Sequence, residues 1–281
     1  MLVNGVGDQV DSRTMWCASY PKSGNTWVRT LAFALRTAGP PDINRLGADG
    51  DPFADVMRGL GLSTSDMNET TALAFTRLGW ALGRDDGGST LRKTHTPWLP
   101  EADGYPQCWQ PPHARAVYIV RDPRAVAVSW AHHVGLSHSD AVNSMATPRS
   151  KVPSVDSHDV QHHPGDWSIH VTSWLDQSVI PVLMLRYEDL MYQPISTVTR
   201  LARWLGLPDQ PGRVESAVDA CAFEKLAAAE IAHGFTEAAS PDRVFFRRGS
   251  VESWREELAP DLVAKIEAHH GDVMRRLGYL S

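Results

Sequence analysis

Lysine is scarce: of 27 basic residues only five are lysines, at positions 22, 93, 151, 225 and 265. That balance fits a GC-rich, bacterial genome, and it makes each lysine worth locating. Cysteine is scarcer still, with Cys17, Cys108 and Cys221 forming an odd set without metal-ligand spacing. This excludes a disulfide framework and points to a reducing compartment. No apolar run reaches the roughly eighteen residues a membrane span requires, and the opening "MLVNGVGDQVDSR" has no basic region leading into an apolar core. The expectation is a cytoplasmic protein without integral membrane association. Positive charge is not in excess either, since the formal net charge is -6. Nothing therefore draws the chain to nucleic acid, and any anion site must come from local placement of Arg and Lys.

What remains is a chain of 281 residues, 42% hydrophobic, in which short β-rich runs alternate with helical patterns. This predicts one α/β domain over 1–281 with a central, mainly parallel sheet flanked by helices. Candidate strands are "TMWCASY" (14–20), "LRKTH" (91–95), "AVYIVR" (116–121) and "PVLMLRY" (181–187). After the first, Val28, Leu31, Ala32 and Leu35 share a helix face that ends at Gly39-Pro40-Pro41. After the third, Asp122 can cap a helix whose first position is Pro123. Ile195, Val198, Ala202 and Leu205 line a further helix, and an amphipathic helix follows Pro260. Segments 39–90 and 135–166 break the alternation, apart from helical pieces such as "TALAFTRLGWALG", and read as surface excursions.

"YPKSGNTW" joins the first strand to the first helix. A turn of this kind aims free backbone N–H groups and the positive end of the helix dipole at one point, which suits phosphate or sulfate. Lys22 adds charge, Gly24 permits close approach, and Ser23 and Thr26 offer hydroxyls. The order differs from a Walker A loop, where lysine follows the last glycine. Two residues apart on the second strand, Lys93 and His95 point to the same side. The spacings of His132-His133, His158, His162-His163 and His269-His270 match no zinc pattern, so these are expected at the solvated surface, with His132, His133 and His170 toward an acceptor. Arg124, Arg186 and Arg243 are likewise expected as surface charges.

These segments resemble, in order and spacing, the cytosolic-type sulfotransferases, whose donor is 3′-phosphoadenosine 5′-phosphosulfate (PAPS). "YPKSGNTW" resembles the phosphosulfate loop of that family, "RKTHTPW" its base-bearing segment and "AVYIVRDPRAVAVSW" its 3′-phosphate segment. "GDWSIHVTSWL" is similar to the acceptor-side helix, "YEDL" through "LGLP" to the next strand-helix unit, "CAFEKLA" to an adenine contact, and "FFRRGSVESW" to the C-terminal signature. Asn25 and Cys221 stand where the family often has threonine, and Arg248 where it has lysine. The resemblance implies a P-loop-like sulfotransferase fold, with strand-loop-helix 13–38 for the phosphosulfate, 116–134 for the 3′-phosphate and 135–166 as an acceptor-site loop.

It further implies that His95 is the general base, Lys93 holds the bridging oxygen or sulfuryl group, and Lys22 steadies the leaving phosphate. Lys22, Ser23, Gly24, Asn25, Thr26 and Trp27 would contact the donor beside Arg121 and Ser129, with Tyr187 and Phe223 at the adenine and Arg247, Arg248 and Gly249 as a second clamp. A sulfuryl group brings less negative charge than a γ-phosphate, so lysines can serve where kinases use magnesium, and no metal is expected. The acceptor would be a hydroxyl of a small organic molecule, and the chain a monomer or homodimer. Two alternatives stay open at this point: a P-loop nucleotide-dependent kinase, and a non-catalytic nucleotide-binding protein on the same fold.

Overall fold

Each predicted strand forms: the first and fourth are shorter by one residue at each end, the second by one at its C-terminal end, and the third is shifted one residue toward the N-terminus. The computed structural model describes residues 15–46, 71, 91–100, 106, 108, 114–148, 164–240 and 242–281. Within them β1 (Met15–Ser19), β2 (Leu91–Thr94), β3 (Arg115–Val120) and β4 (Val182–Arg186) form one parallel sheet in the order β2-β1-β3-β4. Trp16 and Ala18 pack into one apolar cluster and Met15 and Cys17 into the other, so β1 is buried on both faces. Such a strand reads as a continuous apolar run instead of an alternating one.

Helix α1 (Asn25–Thr37) buries Val28, Leu31, Ala32 and Leu35 against one face of the sheet, as their spacing predicts. The same face receives α6 (Pro194–Leu205) and α7 (Pro211–Ala220). The opposite face is covered by α2 (Pro123–Val134), α3 (His138–Met145), α4 (Trp167–Leu175), α9 (Trp254–Glu257) and α10 (Pro260–Arg276). Between these lie α5 (Tyr187–Tyr192) and α8 (Phe223–His233). Asp122 caps α2 by accepting from the Arg124 N–H at 2.9 Å, with Pro123 at the first position. Ile195 departs from its predicted role: it lies in the first turn of α6 and is exposed, while Thr197 and Leu201 join Val198, Ala202 and Leu205 in the buried stripe.

The chain leaves central β1 to form β2 on one side and then β3 on the other, so the sheet reverses direction beside β1. A reversal of this kind opens a crevice at the carboxyl ends of the strands. The first residues past β2, β3 and β4 are His95, Arg121 and Tyr187, and the turn past β1 carries Lys22. Most of segment 39–90, including all but one residue of "TALAFTRLGWALG", and residues 149–163 of the expected acceptor loop lie outside the described residues. So do His158, His162 and His163.

Candidate active site

The turn after β1 is shaped for an anion. Gly24, at φ 105°, is the N-cap of α1, and no side chain caps the helix there. The first-turn N–H groups therefore keep the positive end of the helix open. A Cβ on Gly24 would stand 2.8 Å from Cδ2 of Tyr187, so the backbone can come this close only as glycine. Lys22 also takes a positive φ of 65°, a conformation that costs a lysine energy and persists only when its surroundings impose it. Arg121 helps impose it by donating to the Lys22 carbonyl at 3.1 Å.

The Lys22 ammonium is buried and has no hydrogen-bond acceptor among the described residues, and neither has the Ser23 hydroxyl. The ammonium lies over the Phe245 ring, 3.5 Å from Nζ to centroid. Burial lowers the Lys22 amine to about 7, with Glu237 acting in the opposite sense and Lys93 and Arg121 in the same one. A buried, unpartnered cation and hydroxyl at an open helix terminus, beside a glycine that admits no Cβ, fit an anionic phosphate or sulfate group. Asn25 turns away from this space: its amide donates to the Cys17 carbonyl at 2.7 Å and to Ser19 Oγ at 3.3 Å, bracing the strand end.

His95 is half-buried at the end of β2. Its Nδ1–H donates to the Ser19 carbonyl at 2.8 Å, with Ser19 Oγ at 3.3 Å. That bond selects the neutral tautomer with its proton on Nδ1 and its lone pair on Nε2. Behind it, His170 donates from Nε2 to the His95 carbonyl at 3.1 Å, and Nδ1 of His170 faces the Tyr118 hydroxyl at 2.9 Å. Complete burial pulls His170 down to about 3, so it works as a neutral strut. Lys93, paired with Cys17 in the sheet register, lies beside the cradle with Nζ 3.1 Å from Glu237.

On the other side of the turn, the guanidinium of Arg121 lies 4.2 Å over the Tyr187 ring and also donates to the Ser250 carbonyl at 3.0 Å. It ties the cradle to the C-terminal segment. Trp27 packs edge-on to Tyr187 and donates to the Cys221 carbonyl at 2.9 Å. Gly249, at φ 58°, lets the backbone pass against the Phe223 ring, which a Cβ would meet at 2.6 Å. Arg247 makes two bonds to Glu257, and Arg248 reaches Glu256 and Glu257 at 3.3 Å. Ser129 is half-buried on α2.

With this geometry in view, comparison with known proteins is decisive at the level of family. A family model described as "Sulfotransferase domain" matches residues 12–278. The chain belongs to the sulfotransferase family. It is 28% identical to cytosolic sulfotransferase 17 of Arabidopsis thaliana over 94% of this chain and 75% of that one. With flavonol 3-sulfotransferase of Flaveria bidentis it shares 28% over 90% of this chain and 79% of the relative. The fold is similar to that of mouse sulfotransferase SULT7A1 complexed with PAP, at TM-score 0.62 and 19% identity, covering 94% of this chain and 85% of that one. It is also similar to retinol dehydratase in complex with androsterone and inactive cofactor PAP, at TM-score 0.60 and 18% identity, covering 94% and 81%. These likenesses support the sulfotransferase reading over the kinase alternative.

Several side chains of this sulfotransferase fall elsewhere than their sequence context suggests. Arg124 is buried, not a surface charge: it holds Asp122 through two nitrogens, Glu267 at 2.6 Å and the Tyr279 carbonyl, and lies over the Trp254 ring. Arg186 is half-buried over Tyr279, and Arg243 donates to the His132 carbonyl at 2.9 Å. His170 is in the interior, and His270 is buried against Ser168 and beside Asp166, which His269 bonds directly. Asp166, His269 and His270 do lie close together, but Asp166 is committed to His269 and to capping α4 through the Ile169 N–H. Burial pulls His133 down to about 3, and its ring packs edge-on at 5.6 Å against Phe245, the ring that faces Lys22.

Sequence reasoning missed Glu237 entirely. Its carboxylate accepts from Thr26 Oγ1 at 3.0 Å, pairs with Lys93 at 3.1 Å and meets the buried Arg29 guanidinium at 2.5 Å. Burial alone would push this carboxyl up, but Lys93 and Arg29 hold it at about 2. No periodicity or motif marks it.

Proposed function

We propose that this sulfotransferase takes a sulfuryl group from PAPS and passes it to a hydroxyl of a small organic acceptor by in-line displacement, with His95 as general base. The observation that carries this reading is the 2.8 Å bond from His95 Nδ1 to the Ser19 carbonyl, which commits Nε2 to accepting a proton at the end of the strand that also carries Lys93. PAPS supplies an electrophilic sulfuryl group on a phosphate leaving group. The chain's own task is then positioning and charge.

Lys22, buried in its turn with no hydrogen-bond acceptor among the described residues, takes the charge that develops on the departing phosphate, helped by the first-turn amides from Gly24 to Trp27 and by the Ser23 and Thr26 hydroxyls. Lys93 steadies the bridging oxygen. Arg121 and Ser129 recognise the 3′-phosphate, Trp27, Tyr187 and Phe223 the adenine, and Arg247, Arg248 and Gly249 close the far side. In segment terms, 13–38 holds the phosphosulfate, 116–134 the 3′-phosphate, and 135–166 borders the acceptor. Three free cysteines and similarity to cytosolic sulfotransferases support a cytoplasmic location. One chain supplies every residue named, as a monomer or a homodimer would.

A single-turnover assay with labelled PAPS and a panel of phenols, sugars and lipid alcohols tests the reading. Label should move to at least one hydroxyl without added metal. If label stays on the donor with every acceptor while ATP and magnesium support transfer, the proposal fails.

A further inference from the structure

Glu237 stands where an incoming anion has to go. Its Oε2 atom takes the Thr26 hydroxyl at 3.0 Å and the Lys93 ammonium at 3.1 Å, two groups that the proposed function gives to the donor side of the reaction. Its Oε1 atom pairs with Arg29, which is 2% exposed on α1. One carboxylate thus satisfies a hydroxyl, an ammonium and a guanidinium beside the cradle, the partner set a sulfate or phosphate oxygen would seek.

The segment that carries it is held at both ends. The Thr236 N–H donates to Asn44 Oδ1 at 2.9 Å, and Asn44 Nδ2 donates to the Gly234 carbonyl at 3.1 Å. Further along, the N–H groups of Phe245 and Phe246 donate to the Glu230 carboxylate at 2.6 and 2.8 Å. The same segment sets the Phe245 ring against Lys22. This segment therefore sets a carboxylate against Thr26 and an aromatic ring against Lys22.

We infer that Glu237 is an internal counter-anion that occupies part of the phosphosulfate position and that the donor displaces from Thr26 and Lys93, while Arg29 retains it. This rests on the reading of the cradle as the PAPS site. Two requirements follow from like charge: the carboxylate and a donor phosphate cannot share the Thr26 hydroxyl, and their mutual repulsion opposes binding. The carboxylate also keeps Lys93 and Arg29 paired when no donor is bound, so the chain does not leave these two cations facing one another.

The test is calorimetric titration of adenosine 3′,5′-bisphosphate (PAP) into wild type and Glu237→Gln, together with thermal unfolding of both without ligand. Glu237→Gln should bind PAP roughly tenfold more tightly, an effect of removing one nearby like charge, and should unfold at lower temperature when ligand-free. Loss of a merely structural contact would lower stability without tightening the ligand. Equal or weaker PAP binding by the variant overturns the inference and leaves the PAPS reading intact. Failure of wild type to bind PAP at all overturns the PAPS reading itself. If Glu237→Gln does not fold, a crystal structure of wild type with PAP decides: the carboxylate should be more than about 4 Å, beyond ion-pair reach, from Thr26 Oγ1 and Lys93 Nζ, and retained contacts refute the displacement.

Discussion

Lys22 Nζ and the Phe245 ring face each other at 3.5 Å, with no hydrogen-bond acceptor for the ammonium among the described residues. The ring shields the amine from water, which is why burial lowers it to about 7. Its protonation is then tied to whatever anion arrives.

The sign follows directly. At pH 8 the donor-free amine is mostly neutral and at pH 6 mostly charged, because its midpoint lies near 7. An anionic ligand stabilises the charged form and raises that midpoint. PAP binding near pH 8 should therefore take up a proton, and affinity should fall as pH rises above 7. Calorimetry in buffers of different ionisation enthalpy measures the uptake, and Lys22→Met should abolish it. A binding heat that ignores the buffer contradicts the assignment.

His95→Ala should remove turnover while leaving PAP affinity within about threefold, the mark of a group needed for the chemical step more than for ground-state binding. Single-turnover kinetics beside PAP titration separates the two. Retained turnover would take the base away from His95.

Arg121→Ala should weaken PAP by about 1.5–3 kcal/mol, the range for a hydrogen bond to a charged group. Since this guanidinium also ties the Lys22 carbonyl to the Ser250 carbonyl, adenosine 5′-phosphate serves as the control. A loss confined to PAP assigns the 3′-phosphate contact, and an equal loss for both ligands assigns only the tie.

Gly24→Ala places a methyl group 2.8 Å from the Tyr187 ring and a side chain at φ 105°. Backbone strain of this kind costs about 1–3 kcal/mol. Lower denaturant midpoint and weaker PAP binding should appear together, because one displacement moves both the ring and the turn.

Asp122→Ala removes the cap of α2 and leaves the buried Arg124 with Glu267 and the Tyr279 carbonyl alone. Breaking a buried ion pair costs about 3–5 kcal/mol. Urea unfolding should show a loss of that order.

The strands were legible because their signals are local. Apolar runs buried on both faces mark β1 and β3, and Asp122-Pro123 marks a helix start within two residues. Lys93 and His95 were paired by the two-residue period of a strand, although β2 ends at Thr94 and His95 is the first residue past it. What escaped was the fate of side chains decided by distant partners. Arg124 looks like any arginine near a helix start until Glu267 and Trp254 close over it. His170 becomes internal only because Tyr118 and the His95 carbonyl meet it, and Glu237 lies 211 residues beyond the Thr26 hydroxyl it accepts from. Pairings at such separations leave no period in the chain.

The turn after β1 is completed early in synthesis, and the side chains packed on it come late. Lys22 through Thr26 emerge from the ribosome long before Tyr187, Glu237 and Phe245, which pack against them. A nascent chain of about two hundred residues would carry all four strands and Tyr187 but neither Glu237 nor Phe245 beside the turn.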